Sequence, residues 1–171
     1  WLHRHGLEII DGIGSTEALH IFITNRPGQV MPGSSGRVVP GYEARVVDDE
    51  GNPVEQEEVG NLMIKGDSTI AYYWNRHDIT KKTIVGEWLY TGDKYYQDGD
   101  GYYWCSGRTD DMLKVSGMWV SPVEVENTIL AHPSVLEAAV VGHEDENQMV
   151  KPRAFVVLRP GHEPAPQLTD E

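Results

Sequence analysis

Three short stretches carry residue types that could do chemistry together. The first is "DGIGSTE", residues 11–17. Its glycines let backbone N–H groups approach an anion, Thr16 adds a hydroxyl, and Glu17 supplies a hard oxygen of the kind Mg²⁺ takes. The plainer reading is a strand-to-helix turn with a capping residue, and taken alone the stretch favours it. Glu17 stands where a dinucleotide fingerprint needs its third glycine, and no GxxxxGK[ST] occurs in the chain. The second stretch is "YTGD", residues 90–93. A carboxylate such as Asp93, placed after a tight turn, can take both hydroxyls of a ribose. An aspartate satisfying its own turn is the commoner use. The third is "GRTDDMLKVSGMWVSPVEVE", residues 107–126. Arg108, Asp110, Asp111 and Lys114 cluster here around two glycines. This is either a solvated linker or a hinge with a cation on each side able to reach a phosphate or ribose.

Two other side chains invite a bland and a sharp reading. Cys105 lies in an aromatic strand with no base nearby in sequence, so a core position is expected rather than a nucleophile. His20 stands among Ala18, Leu19, Ile21 and Phe22; a satisfied core histidine is the default, a substrate contact the sharper alternative. The 7 histidines are scattered without ligand spacing, which argues against a histidine metal site.

The elements that must position these residues follow from local pattern. Residues 7–10 and Ala18 to Thr24 read as strands on either side of the glycine turn, and residues 25–35 as a loop. "GRVVPGYEARVVD" and "GNLMIKG" are β-rich and joined by the turn "DDEGNPV", with Leu62 and Ile64 alternating with polar neighbours. A short helix is expected from Asp78 to Val85. "EWLYTGDKYYQ" and "GYYWCSG" flank "DGDG", a strong hairpin signal. A second unit begins near residue 110, with a small hairpin turning at Ser116-Gly117. In "SPVEVENTILAHP", Ser121 is an N-cap, Pro122 takes the first helical position and Glu124 completes a capping box. Val125 and Ile129 share a face and His132-Pro133 ends the helix. "VLEAAVVG" and "RAFVVLRPG" follow as two strands paired over it.

A formal charge of −13 over 171 residues argues against nucleic-acid and anionic-membrane partners, which are bound largely by Lys and Arg. A single cysteine rules out an internal disulfide and fits a reducing cytoplasm. No run of about eighteen apolar residues is present to span a bilayer. The chain opens on Trp1 and closes on "PAPQLTDE", where Thr169-Asp170-Glu171 announces a helix. An interior piece of a longer protein is therefore expected.

In their order along the chain, "GIGSTE", "GNLMIKG", "YTGD" and "GRTDDMLKVSGMWVSPVEVE" resemble the adenylate-forming superfamily: acyl-CoA synthetases, firefly luciferases and peptide-synthetase adenylation domains. "DGIGSTEALHIF" and "SGMWVSPVEVE" are most similar to its benzoate-CoA ligase branch. The resemblance implies an α+β fold. Residues 1–109 would end a large adenylation domain that includes a mostly antiparallel, barrel-like β subdomain, and residues 110–171 would begin a small mobile C-terminal domain. It also implies site roles. Thr16 would bind the adenylate phosphate and Glu17 would bind Mg²⁺. Asp11, Gly12 and Ile13 would line the adenine, while Asp93, assisted by Arg108, would take the ribose. Gly14, Ser15 and His20 would line the acyl pocket. Asp110 would be the hinge, Lys114 would swing in with the small domain, and Ser116, Gly117 and Trp119 would border the coenzyme A channel. Ile13 stands where the wider superfamily commonly has an aromatic residue, as in the benzoate branch. The implied reactants are ATP, coenzyme A and an aryl carboxylate in a cytoplasmic enzyme, with room for a homodimer. The superfamily's phosphate loop is expected before Trp1 and its C-terminal lysine after Glu171, so this piece alone is expected to be inactive. Another carboxylate or acceptor, or a non-catalytic nucleotide-binding module, are the alternatives.

Overall fold

The computed structural model describes residues 2–115, 118–146 and 149–164. The chain divides into two compact units, Trp1–Thr109 and Asp110–Glu171. The expected turn at Ser116-Gly117 and the terminal Thr169-Asp170-Glu171 lie outside the described residues.

The first unit begins with a one-turn helix, α1 (Leu2–His5). The strand expected at residues 7–10 is not formed. Leu7, Ile9 and Ile10 are exposed, and no described strand pairs with them. Pairing starts at the glycines instead: β1 (Gly12–Gly14) runs antiparallel to β2 (Ile21–Thr24), which pairs in turn with β3 (Arg37–Val38). A 3₁₀ turn, Thr16–Ala18, joins β1 to β2, and the Ser15 hydroxyl caps it by accepting from the Ala18 N–H.

Next come β4 (Tyr42–Val47), β5 (Gly60–Gly66), α2 (His77–Thr83), β6 (Ile84–Val85), β7 (Trp88–Gln97) and β8 (Tyr103–Arg108). All five of these strands pair antiparallel in one sheet. The ten-residue β7 organises it: one edge carries β5, while the other is shared between β6 at its start and β8 along the rest. The mostly antiparallel character agrees with expectation, but the barrel-like closure does not. A barrel needs its first and last strands to pair, and among the described residues no ladder joins β4 to β8.

Phe22 and Ile23 from the small sheet pack with Val46, Leu62, Ile64, Leu89, Tyr95 and Tyr103 from the large one, forming the core. Each such side chain contributes about 1.5–3 kcal/mol on burial. The alternation expected in β5 is lost, because Met63 is as buried as Leu62 and Ile64. Its opposite face is covered too: the Arg45 guanidinium reaches the Met63 sulfur at 3.6 Å and stacks over Trp88 at 4.0 Å. Cys105, expected in the core, is exposed. β8 is an edge strand of the sheet, paired with β7, and Tyr103 bonds the loop beside it through Ser35 and Gly36.

In the second unit β9 (Leu113–Val115) and β10 (Met118–Val120) form the expected hairpin ladder. The helix α3 (Pro122–Leu130) follows, with the Ser121 hydroxyl accepting from the Glu124 N–H. β11 (Val135–Glu144) and β12 (Val150–Leu158) pair antiparallel, and the Glu126 carboxylate ties α3 to β11 by accepting from the Val140 N–H at 2.7 Å. Among the described residues no helix is long and apolar enough to cross a membrane.

Candidate active site

The glycines of "DGIGSTE" are required by packing before any ligand is considered. A Cβ at Gly12 would lie 2.7 Å from the Ile23 carbonyl oxygen, and one at Gly14 equally close to that of His20. Only glycine lets β1 approach β2 this tightly. Asp11 anchors the start of the turn: its carboxylate accepts from the Gly12 N–H, and its carbonyl accepts from Asn25 and Thr24. Thr16 at the head of the 3₁₀ turn is exposed.

Glu17 is held from two directions by the segment after β5. Its backbone carbonyl accepts from the Ile70 N–H at 2.8 Å, and its Oε1 accepts from the Tyr73 hydroxyl at 3.0 Å. Next to it the Ala18 carbonyl accepts from Ser68 and Tyr42. Burial first, then the hydrogen bond and the charge of Glu17, push the Tyr73 phenol up to about 12. At neutral pH Tyr73 is therefore a donor.

Across the cleft, Asp93 sits on β7 with its side chain 13% exposed. Its N–H donates to the Thr91 hydroxyl, which itself donates to the Leu62 carbonyl. Arg108 on β8 is the cross-strand partner of Asp93, and its Nη1 donates to Oδ1 at 3.1 Å. Gly92 has φ +80°, a turn conformation open to glycine, and a Cβ there would press on the same guanidinium.

These two ends line one cleft of about 390 Å³. Ile13, Gly14, Ser15 and Glu17 form one wall; Tyr90, Thr91, Gly92, Asp93 and Arg108 form the other, with Tyr73, Thr83 and Leu89 between. Sequence reasoning missed Tyr73. The aromatic run "AYYWN" was its signal, but which ring turns inward is not readable from it. Tyr72 and Trp74 are 60% and 84% exposed, and only Tyr73 is half-buried.

Other sequence-selected residues fall elsewhere. His20 is exposed rather than a core residue, because burial in this segment goes to Ala18, Phe22 and Ile23. Its Nδ1 lies 2.7 Å from the Ile21 carbonyl, and its ring meets Tyr42 edge-on. Asp110 is exposed and is the first residue of the second unit. There, Lys114 and Trp119 are cross-strand partners, with the ammonium 5.5 Å from the indole ring centre. Ser116 and Gly117 lie outside the described residues.

A phosphate-bound Mg²⁺ fits this cleft on the chemistry of its donors. No group of three or more acidic, histidine or cysteine side chains gathers among the described residues. The carboxylate the cleft offers is that of Glu17, since the Asp93 carboxylate, which also lines it, accepts from the Arg108 guanidinium. Mg²⁺ is commonly held by one or two carboxylates, with waters and substrate phosphates completing its shell.

The profile of the AMP-binding enzyme family matches residues 1–74, and that of the AMP-binding enzyme C-terminal domain matches residues 124–171. The chain belongs to the AMP-binding enzyme family. Within it, the chain is 53% identical, over 95% of its length, to a benzoate-CoA ligase of Thauera aromatica. It is 51% identical, over 92%, to a 4-hydroxybenzoate-CoA/benzoate-CoA ligase of Rhodopseudomonas palustris. It spans 31% and 29% of those relatives. Among solved structures it superposes on an anthranilate CoA ligase in complex with anthranoyl-AMP, with a TM-score of 0.87 and 52% identity. That match covers 99% of this chain and 33% of the other. A benzoate CoA ligase from Burkholderia xenovorans LB400 gives a TM-score of 0.85 at 51% identity, covering 96% and 33% respectively.

Proposed function

We propose that this chain is the part of an ATP-dependent aryl-CoA ligase that holds the adenylate, with benzoate or a substituted benzoate as the acid. What supports the reading most is one cleft lined by Glu17, Asp93 and Arg108, in a chain half identical to benzoate-CoA ligases. In the first step a carboxylate oxygen bonds to the α-phosphorus of ATP, and the bond to the bridging oxygen breaks to release pyrophosphate. In the second, the coenzyme A thiol gives up its proton and bonds to the acyl carbon, and AMP leaves.

The barrier in the first step is repulsion between an anionic nucleophile and a polyanionic phosphate. Mg²⁺ bound at Glu17 would supply charge neutralisation on the phosphate oxygens. Thr16, exposed at the head of its turn, donates to the α-phosphate, and removing one such donor costs about 10²–10³ in rate. Asp93 accepts from the ribose hydroxyls while Arg108 fixes its carboxylate. Asp11, Gly12 and Ile13 flank the adenine, and Gly14 and Ser15 flank the acyl group, with His20 behind them. Asp110 is the hinge that brings Lys114, Ser116, Gly117 and Trp119 to the thioester-forming state.

ATP–pyrophosphate exchange by the whole protein tests this. Exchange stimulated by benzoate and hydroxybenzoates, and not by acetate, long-chain fatty acids or amino acids, is expected. Stimulation by one of the latter alone would discard the aryl assignment, and coenzyme A-independent turnover to a final product would discard the acceptor.

A further inference from the structure

Glu17 is gripped by a segment remote in sequence, and that grip has a direction. The strand β5 ends at Gly66, and the chain then folds back over the 3₁₀ turn. Along this segment Ser68 bonds the Ala18 carbonyl, Ile70 bonds the Glu17 carbonyl, and Tyr73 bonds the Glu17 side chain. Tyr73 is itself fixed from behind. Its N–H donates to the Thr80 hydroxyl on α2 at 3.0 Å, its carbonyl accepts from the Arg76 N–H, and the Thr80 hydroxyl donates to the Arg76 carbonyl. The phenol therefore meets the carboxylate from a framework anchored at both ends. It bonds one oxygen only, Oε1.

We propose that Tyr73 is the positioning residue for Glu17: its hydroxyl engages Oε1 and turns the second carboxylate oxygen to a divalent cation bound with the nucleotide. The proposal rests on the reading of Glu17 as the metal ligand. A free glutamate has three side-chain torsions to order on binding a cation, and the phenol settles them beforehand. A donor behind a carboxylate ligand acts in this way at metal sites generally, and its loss typically lowers metal affinity or activity by about 10–100-fold.

The test uses the whole protein with a non-hydrolysable ATP analogue, and Mn²⁺ as the probe, free Mn²⁺ being read by electron paramagnetic resonance. In Tyr73→Phe the Mn²⁺ dissociation constant in the ternary complex is expected to rise roughly 10-fold or more. AMP affinity in EDTA is expected to hold within about 2-fold, because no metal is then oriented. A purely structural role would lower both affinities together. Thr80→Val, which loosens Tyr73 from behind, should give the same split with a smaller rise, and it decides the question if Tyr73→Phe does not fold. Equal Mn²⁺ affinity in variant and wild type, or a parallel loss of metal-free AMP binding, overturns the role of Tyr73 and leaves Glu17 a ligand. Wild-type protein that takes up no Mn²⁺ with the analogue overturns the reading of Glu17 itself, and this proposal with it.

Discussion

Replacing Asp93 with alanine separates nucleotide binding from folding, because the structure assigns very different weights to the two. The Asp93 side chain is 13% exposed, and its backbone is fixed by Thr91, so the carboxylate is ordered before ligand arrives. The Arg108 Nη1 donates to Oδ1, and a carboxylate has about four acceptor sites, so it can accept from ribose hydroxyls as well as from the guanidinium. Hydrogen bonds to a charged acceptor contribute about 1.5–3 kcal/mol each. Two of them, offset by water entering the vacated space, set a lower expectation near 2.7 kcal/mol, or about 100-fold in AMP affinity. Folding loses far less. The Arg108 side chain is 52% exposed, so its charge stays hydrated and the broken pair is worth at most about 1 kcal/mol. That corresponds to a melting shift of about 2–4 °C. Titration calorimetry with AMP and a thermal scan on the same sample read both quantities. Asp93→Asn, which keeps the shape but not the charge, should fall between. AMP affinity within about 3-fold of wild type, well short of the loss of even one charged hydrogen bond, would refute the reasoning.

Gly36→Ala should destabilise the first unit by about 2–6 kcal/mol, since φ there is +98° and the added Cβ would collide with the Thr24–Asn25 peptide; a melting temperature close to wild type would contradict that contact. Acid should weaken the first unit through Asp49 and Asp98. The Asn61 side-chain hydrogen bond and then Lys94 hold Asp49 below the usual 3.8, while burial opposes but the Trp104, Tyr102 and Asp100 donors win at Asp98. A depressed carboxylate stabilises the fold above its unfolded value and loses that contribution as pH falls through its folded one. Melting temperature should therefore hold from pH 7 to about 5 and drop below about 4, with the drop reduced in Asp49→Asn. His20→Ala should change the preference among benzoates if His20 stands behind the acyl group; an unchanged preference, read by pyrophosphate exchange, would leave it a brace for Tyr42 alone.

Local chemistry determined a good part of this protein. The "DGDG" turn required the β7–β8 hairpin, Ser121 and Pro122 required the start of α3, and the turn "DDEGNPV" joined β4 and β5 as a pair. The motifs "DGIGSTE" and "YTGD" marked Glu17 and Asp93 as residues worth uniting, and both line one cleft. All of these signals act within about ten residues, through turn geometry, capping and side-chain period. What needed distant partners was decided only by the folded chain. Residues 7–10 have a strand's composition but no described neighbour to pair with. His20 and Cys105 have apolar neighbours in sequence yet lie outside the packed layer, while Lys94 is buried because Asp49, 45 residues away, receives its charge. Tyr73 reaches Glu17 across 56 residues, and which of three successive aromatic rings does so depends on how α2 and β5 hold the segment between them. Burial and aim are properties of packing, which the chain settles only once remote segments share one core.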